Sequence, residues 1–325
     1  MKILISIYKI ADPSHPHFFK RAYLERIRSS AGKNVDIRIV TDLKRAAAAV
    51  LDADVIAGFP WMIPPLGKAR KLKWLHSFSA GVDRVLTDET KRLPVIVSNS
   101  SGVHATPIAE HLIGFILIFT RGFHRTLRNQ LRRRWQKDET ISELRGKTVL
   151  IVGLGDIGTE AARLAHAFGA RVIAVARTKR VKPDFVDMLG TVRSLDALLP
   201  KADFVAICLP HTKETHHLFD MRKFREMKRT AILMNIGRGG IVQEKDLIRA
   251  LQQKVIAGAA LDVTEKEPLP RTSPLWNMEN VIITPHHSGL SEKYMDRAVA
   301  LFCRNMRAFI KGERLPNLVD KKLGY

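Results

Sequence analysis

The sequence predicts an α/β protein in which a chain of 325 residues forms two doubly wound parallel-sheet domains. Three observations point to this fold. Strand and helix patterns alternate through the first hundred residues, a second alternating series begins at Lys147, and a glycine-rich turn separates a strand from a helix early in that second series. Such alternation favours parallel sheets covered by helices on both faces.

The first series contains short apolar strands separated by helical patterns. The predicted strands are Ile3–Ile7, Asp36–Val40, Asp54–Ala57, Lys73–Ser77 and Val95–Ser98. The predicted helices are His17–Ser30, Leu43–Leu51, Ile63–Ala69 and Val82–Thr90. We expect these elements to form a flavodoxin-like domain.

The second series opens with a nucleotide-binding fingerprint. The apolar, β-branched stretch Thr148–Val152 predicts a buried strand, and Gly153–Gly158 follows it with the spacing G-x-G-x-x-G. Apolar residues at helical spacing come next, and Gly169 ends that pattern. Glycines let the backbone approach a pyrophosphate, whose charge suits the helix N-terminus. The segment therefore predicts a Rossmann dinucleotide-binding domain.

Six strands are expected in this second domain. They are Thr148–Val152, Val172–Ala176, Phe204–Leu209, Ala231–Asn235, Ile256–Leu261 and Val281–Thr284.

The chain order predicts that the Rossmann domain is inserted into the first domain. Pro107–Arg121 predicts a long linking helix, and Ser291–Lys311 predicts a terminal helix that returns to the first domain. The expected boundaries are 1–100 for the first part of the substrate domain, 101–289 for the dinucleotide domain and 290–325 for the return. A cleft between two domains joined by two crossings is expected.

The residues after the strand Val172–Ala176 predict the type of dinucleotide. An NAD site normally carries Asp or Glu there for the ribose 2′-hydroxyl, whereas this chain has Arg177, Thr178, Lys179 and Arg180. Because cations suit a 2′-phosphate, we expect NADP(H) to be preferred and NAD(H) to remain possible.

Composition indicates a globular protein outside the membrane. Hydrophobic residues make up 46%, and the apolar runs Ile3–Tyr8 and Ile113–Phe119 are too short to span a bilayer. Only Cys208 and Cys303 occur, which does not suggest a disulfide framework. We expect a reducing, cytoplasmic location and no membrane partner.

The net charge of +22 has two interpretations. Its densest stretch, Arg121–Lys137, contains five arginines after position 124 and no acidic residue. Such a run can bind nucleic acid, or it can be a solvated helix face or an arm packed on a partner subunit. The second interpretation is favoured because no aromatic residues are interleaved as stacking platforms. No specific nucleic-acid partner is expected.

Three later segments follow predicted strand ends, where ligands gather in open α/β sheets. These segments are Asn235–Gly239, Asp262–Pro268 and Thr284–Gly289. Taken alone, Arg238 is an ordinary turn residue, Glu267 an ordinary loop carboxylate, and His286 more often structural than catalytic.

Together these three residues suit hydride transfer to a 2-oxo acid. Arg238 offers a planar fork for the substrate carboxylate. Histidine side chains titrate near neutrality in general, so His286 can give a proton to the developing alkoxide. Glu267 can pair with His286 and favour its protonated form. No metal is required by this chemistry, and none is expected.

With these motifs the sequence resembles the D-isomer-specific 2-hydroxyacid dehydrogenases. The matching pieces are Gly153–Gly158, Asn235–Gly239, Asp262–Pro270, Thr284–His286, Ser79–Asp83 and Ala109–His111. The resemblance implies that backbone amides of the loop at Ser79, Ala80, Gly81 and Val82 bind the substrate carboxylate together with Arg238. It also implies homodimers, with the region near Arg121–Trp135 at the interface.

The resemblance further implies a set of cofactor contacts. Besides Arg177, Thr178 and Lys179, these are Gly153, Gly155, Asp156, Ile157, Gly158, Leu209, Pro210, Thr215, Ile236, Gly237, Asp262 and Gly289.

Two functional interpretations follow. Arg177 in place of the acidic residue resembles the NADP-using glyoxylate and hydroxypyruvate reductases, so the first is an NADP-dependent enzyme that converts a small 2-oxo acid to its D-2-hydroxy acid. The alternative is a catalytically weak, dinucleotide-sensing protein like the transcriptional corepressors that share this fold. The positive charge favours the alternative, and the lack of a recognisable DNA-binding module disfavours it.

Overall fold

The structure is a computed structural model that describes residues 1–8, 10, 12–82 and 84–322. The chain forms two compact units. Unit 1 comprises residues 1–104 and 290–325, and unit 2 comprises residues 105–289. Each unit contains one sheet whose strands all pair in parallel, so the predicted fold class is confirmed.

Unit 1 has a five-stranded sheet in the order β2-β1-β3-β4-β5, which is the flavodoxin-like order. The strands are β1 (Lys2–Ser6), β2 (Asp36–Val40), β3 (Val55–Gly58), β4 (Trp74–Ser77) and β5 (Ile96–Ser98). The helices, numbered along the whole chain, are α1 (Arg21–Ala31), α2 (Leu43–Ala49), α3 (Asp88–Arg92) and the terminal α10 (Tyr294–Ile310). The terminal helix packs on α1 and stacks Phe302 on Trp74 of β4, with ring centroids 5.1 Å apart.

Two helix predictions in unit 1 are wrong. The predicted helix Ile63–Ala69 is absent, and only Gly67 and Lys68 of that range lie in a turn. Pro64 and Pro65 disfavour the helical conformation in the residues that precede them, and Gly67 disfavours it further. The predicted helix Val82–Thr90 starts later, at Asp88, where the Thr87 hydroxyl accepts the Thr90 amide at 3.2 Å. Asp83, which both that prediction and the loop motif include, lies outside the described residues.

Unit 2 has a seven-stranded sheet in the order β12-β11-β10-β9-β6-β7-β8. The strands are β6 (Thr148–Val152), β7 (Arg171–Ala176), β8 (Met188–Thr191), β9 (Phe204–Ile207), β10 (Ile232–Asn235), β11 (Gly258–Leu261) and β12 (Val281–Ile283). The helices are α4 (Ala105–Thr120), α5 (Phe123–Leu131), α6 (Asp156–Ala167), α7 (Leu195–Leu198), α8 (Met221–Glu226) and α9 (Glu244–Gln252).

The central strand of unit 2 is buried on both faces. Leu150 and Val152 of β6 enter the core on one side of the sheet, and Val149 and Ile151 enter the core on the other. Strands buried on both faces read as continuous apolar runs, as this one does. Because β7 lies on one side of β6 and β9 on the other, the strand order reverses at β6, and a crevice for ligands is expected at its carboxyl end.

The sequence predictions missed β8, which pairs with β7 at the edge of the sheet. All four residues of Met188–Thr191 are partly exposed and include Gly190, so neither an apolar run nor a clear alternation marks the strand. Among the described residues, no helix is both long and apolar enough to cross a membrane.

Candidate active site

The glycine turn after β6 leaves an open space at the start of α6. Gly153 has a φ of +109°, and a Cβ atom there would lie 2.7 Å from the Cys208 carbonyl oxygen. A Cβ atom on Gly158 would lie 2.0 Å from the Gly153 carbonyl oxygen, so helix and turn are in direct backbone contact. A Cβ atom on Gly155, in contrast, would meet no atom of the described residues within 4 Å.

This turn fits a dinucleotide pyrophosphate. Gly155 is the N-cap of α6 and has no side chain to cap the first amides of the helix. Those amides and the helix dipole favour a negatively charged group. Asp156 and Gly155 are exposed and Ile157 is half-buried at this point. The residues present therefore suit the phosphate-binding part of a nicotinamide dinucleotide site.

Further predicted contact residues follow β9 and β10. The Thr215 hydroxyl donates to the Pro210 carbonyl at 2.7 Å and accepts the Thr212 amide at 2.7 Å, which closes the loop after β9. A Cβ atom on Gly237 would lie 2.5 Å from the Leu209 carbonyl oxygen, so this loop and the one after β10 touch through their backbones. Ile236 is buried, so its side chain belongs to the core.

Four exposed residues, Arg177–Arg180, follow β7, and we call them the basic turn. The Arg180 guanidinium donates to the Leu154 carbonyl at 2.5 Å. This hydrogen bond joins the basic turn to the glycine turn. Arg177, Thr178 and Lys179 consequently lie on a segment that is anchored next to the expected pyrophosphate site.

His286 and Glu267 form a hydrogen-bonded pair after β12 and β11. His286 Nδ1 lies 2.7 Å from Glu267 Oε2, and both side chains are partly exposed. The other oxygen, Glu267 Oε1, accepts the Thr264 amide at 3.3 Å. Since a carboxylate can only accept, Nδ1 carries a proton, and Nε2 is the nitrogen that can exchange a proton with a substrate.

The backbone holds His286 in an uncommon conformation. Its φ is +51°, in the left-handed region that few residues other than glycine adopt. The His286 amide donates to the Asp262 carbonyl at 2.8 Å and to the Thr284 carbonyl at 3.0 Å. Such conformations persist where surrounding contacts over-determine them, and they concentrate at functional sites.

Arg238 lies beside the same segment. The Asn235 side chain accepts the Gly237 amide at 3.1 Å and donates to the Arg238 carbonyl at 3.0 Å, which shapes the loop after β10. A Cβ atom on Gly239 would lie 1.8 Å from the Thr264 carbonyl oxygen. The loops that carry Arg238 and Glu267 are therefore in contact, and we call Arg238, Glu267 and His286 the acid–base edge.

Asp262 is the buried polar centre of this edge. Its carboxylate accepts the Ser288 hydroxyl at 2.5 Å, the Thr284 hydroxyl at 2.6 Å, and the backbone amides of residues 287 and 288. Burial alone would raise the pKa of Asp262, but these hydrogen bonds outweigh burial and lower it. Asp262 is therefore held as a carboxylate.

Possible metal ligands from His111, Asp262 and His287 lie within 4.8 Å of one another. However, both oxygens of Asp262 already accept hydrogen bonds, and the Thr284 hydroxyl bridges His111 to Asp262. The geometry therefore describes a hydrogen-bond network.

The predicted substrate loop lies in unit 1, after β4. The Asn99 side chain donates to the Ala80 carbonyl at 2.7 Å, and the Ser100 amide donates to the Ser79 carbonyl at 3.1 Å. Val82 is buried and anchors the loop to the core of unit 1. Because the carbonyls of residues 79 and 80 accept hydrogen bonds from residues of the same unit, the backbone of the loop Ser79–Val82 is fixed within unit 1.

Sequence reasoning assigned no role to the residues that organise the acid–base edge. Asn235, Thr284 and Ser288 make the hydrogen bonds that set its loops, and His111 reaches it from α4. An asparagine at a strand end, two residues before a glycine, is a turn signal that could have identified Asn235. The motif Ala109–His111 includes His111, but no local pattern indicates its hydrogen bond, because its partner Thr284 is 173 positions away.

Comparison with known proteins gives consistent matches. Residues 113–288 match the family profile described as D-isomer specific 2-hydroxyacid dehydrogenase, NAD binding domain. The chain is 34% identical to a glyoxylate reductase of Thermofilum pendens over 304 residues, which cover 92% of this chain and 85% of that protein.

Solved structures agree with these matches. A D-isomer specific 2-hydroxyacid dehydrogenase family protein from Aeromonas salmonicida superposes with a TM-score of 0.84 at 33% identity, covering 98% of this chain and 99% of that one. An NADPH-dependent glyoxylate/hydroxypyruvate reductase from Sinorhizobium meliloti, in complex with NADP and sulfate, gives 0.83 at 28% identity and covers 100% and 99%.

Proposed function

The chain belongs to the D-isomer-specific 2-hydroxyacid dehydrogenase family and is an NAD(P)-dependent oxidoreductase, and on that premise we propose that it reduces a small 2-oxo acid with NADPH to the D-2-hydroxy acid. The observation that carries the proposal is the His286–Glu267 pair, 2.7 Å apart, on the sheet whose glycine turn suits a dinucleotide. Reduction of a carbonyl group to an alcohol requires a proton donor of this kind.

Each residue of the acid–base edge has a role in this reaction. The bound nicotinamide supplies or accepts the hydride. His286 gives its Nε2 proton to the substrate oxygen during reduction and takes it back during oxidation. Glu267 holds the Nδ1 proton, orients the ring and stabilises the imidazolium. Arg238 binds the substrate carboxylate through its guanidinium fork.

We propose a substrate of the glyoxylate or hydroxypyruvate class. Support comes from similarity to the glyoxylate reductase of Thermofilum pendens and to the glyoxylate/hydroxypyruvate reductase of Sinorhizobium meliloti. In this proposal the Arg238 guanidinium binds the substrate carboxylate, and a role for the Ser79–Val82 amides stays a prediction from the family resemblance. A strongly cationic protein also attracts anionic substrates and cofactors.

The proposed preference for NADPH rests on the basic turn. Arg177 directly follows β7, at a position where an acidic residue would repel a 2′-phosphate and hydrogen-bond a free ribose. A guanidinium in that place can bind the phosphate and stack beside the adenine. Thr178 adds a hydroxyl donor and Lys179 a second charge. The similar Sinorhizobium meliloti enzyme contains NADP in its crystal structure.

We also propose that two copies associate through α5. Its apolar side chains at i, i+4 spacing are exposed: Phe123 by 51%, Leu127 by 58% and Leu131 by 86%, and Trp135 beyond the helix is 99% exposed. Exposed apolar stripes of this kind mark interaction sites. Light scattering of the purified protein should give a dimer mass, and Leu131→Glu should give a monomer. A wild-type monomer at micromolar concentration would overturn this assembly.

Contacts of the same region argue against a nucleic-acid role for its arginines. Arg128 donates to the carbonyls of residues 278, 279 and 281, Arg132 pairs with Glu279 at 3.3 Å, and Arg125 pairs with Asp138 at 2.5 Å. Three of the arginines are thus engaged within the chain. Any DNA binding should be sequence-independent and should weaken as salt rises.

The test is oxidation of NADPH by a panel of 2-oxo acids that includes glyoxylate, hydroxypyruvate and pyruvate. The proposal predicts turnover with at least one member and formation of the D-enantiomer where the product is chiral. Tight dinucleotide binding without turnover on any member of the panel would contradict it and favour the corepressor-like alternative.

A further inference from the structure

A chain of hydrogen bonds runs from helix α4 into the centre of the acid–base edge. His111 Nε2 lies 3.1 Å from the Thr284 hydroxyl, and that hydroxyl lies 2.6 Å from Asp262 Oδ1. Asp262 is buried, and His111 and Thr284 are half-buried. These hydrogen bonds link α4, the first helix of unit 2, to the loops that follow β11 and β12.

Which group donates in each of these hydrogen bonds follows from the protons that the three side chains carry. Asp262 is held as a carboxylate by its other hydrogen bonds, so it can only accept. The single hydroxyl proton of Thr284 must then point to Asp262. Toward His111 the hydroxyl can offer only a lone pair, so His111 Nε2 must carry the proton.

The surroundings of His111 favour the neutral ring that this tautomer needs. Its ring packs edge-on against Phe115, with centroids 4.4 Å apart, and lies 5.7 Å from the ring of His287. Burial lowers the pKa of His111, although the Asp262 carboxylate acts in the opposite direction. A neutral imidazole has one N–H, and the Thr284 contact places it on Nε2.

We infer that His111 is a positioning residue, whose Nε2 proton fixes the Thr284 hydroxyl and through it the Asp262 carboxylate for cofactor binding. The inference rests on the proposed function, in which Asp262 contacts the nicotinamide cofactor. Without the His111 donor the Thr284 hydroxyl can rotate away from Asp262. The carboxylate then loses one of the hydrogen bonds that hold it in a single orientation.

The experiment measures the dissociation constant of NADPH by calorimetry on the full-length protein. His111→Phe keeps an aromatic ring against Phe115 but removes the donor, and Thr284→Val removes the bridging hydroxyl. Each should weaken NADPH binding by about tenfold, the effect of one net hydrogen bond. The double variant should bind no more weakly than either single variant, because both changes break the same chain.

Two further variants separate positioning from general packing. His111→Gln can place an amide N–H near the original Nε2 position and should bind NADPH within about threefold of the wild type. His166→Phe changes an exposed histidine on α6 and should not alter the dissociation constant. Additive losses in the double variant, or no rescue by glutamine, would show that His111 acts only through packing and would overturn the inference.

A spectroscopic measurement keeps the inference testable if a variant fails to fold. Nitrogen-15 NMR of the wild-type protein should show a neutral His111 ring with Nε2 protonated and Nδ1 unprotonated. A proton on Nδ1 would overturn the inference. If the wild type binds neither NADPH nor NADH, the proposed function fails; if it binds NADPH and His111→Phe binds equally well, only the role of His111 fails.

Discussion

The acid–base edge and the basic turn lie on the same sheet but are built differently. Arg238, Glu267 and His286 sit on loops whose backbones touch, at positions fixed by buried hydrogen bonds to Asn235 and Asp262. The four residues of the basic turn are exposed, and the Arg180 guanidinium anchors the turn by donating to the Leu154 carbonyl. In the proposed function, the reacting groups therefore depend on the scaffold, whereas the choice of cofactor depends on exposed side chains that can be replaced.

The largest effect is expected at the acid–base edge. His286→Ala should lower turnover by about 10²–10⁴-fold, the usual contribution of a general acid–base residue, with cofactor affinity nearly intact. The adjacent His287→Ala is a matched control, since His287 holds Asp262 through its backbone amide. Steady-state kinetics with NADPH measure both. Near-normal turnover of His286→Ala would remove the acid–base role.

Changing the Arg238 guanidinium, which is proposed to bind the substrate carboxylate, should give the next largest effect on catalysis. Arg238→Lys keeps the charge but loses the bidentate geometry, so kcat/KM for the 2-oxo acid should fall by about 10- to 100-fold. Arg249→Lys on α9, whose guanidinium lies 3.7 Å from Asp246, serves as the control. Equal efficiency of arginine and lysine at position 238 would mean that only a diffuse positive field is needed.

Removing the Glu267 carboxylate should change mainly the pH dependence of the reaction rate. Glu267→Gln removes the negatively charged partner of His286, so reduction should fail at lower pH than in the wild type. At neutral pH the loss should be at most about fivefold, because the pair is partly exposed. A superimposable pH–rate profile would exclude Glu267 from the mechanism.

A smaller effect is expected on the basic turn. Thr178→Val keeps the shape of the side chain and removes one neutral donor, so kcat/KM with NADPH should fall by about threefold while kcat/KM with NADH stays constant. Comparing the two cofactors within one variant is the internal control. An equal loss with both cofactors would place Thr178 in the general fold and not in phosphate recognition.

The sequence was sufficient for the fold class because its strands carry long apolar runs and its turns carry marked residues. Thr148–Val152 and the glycines after it specify strand, turn and helix within a few residues. Prediction failed where local patterns mislead. The prolines of Ile63–Ala69 prevent a helix, and Met188–Thr191 is too exposed to read as a strand.

The candidate site likewise contains residues that the sequence indicates and residues that it does not. Arg238, Glu267 and His286 could be named from the sequence because each follows a strand end in one sheet. The residues that hold them in place could not be named, because their hydrogen-bond partners are distant in the sequence. The Asp262 carboxylate accepts the hydroxyl of Ser288, 26 positions away, and Thr284 is hydrogen-bonded to His111, 173 positions away. Hydrogen-bond partners of this kind are set by tertiary packing and leave no periodic signal.

The most direct test of this separation is a comparison of NADPH with NADH in the wild type and in Arg177→Asp. Arg171→Asp, at the opposite end of β7, carries the same charge change as a control. We expect kcat/KM in the wild type to favour NADPH by about tenfold or more and Arg177→Asp to reverse this preference with kcat nearly unchanged. We expect Arg171→Asp to leave both the preference and kcat unchanged. Equal efficiencies for the two cofactors in the wild type, or a collapse of kcat in Arg177→Asp, would contradict these expectations.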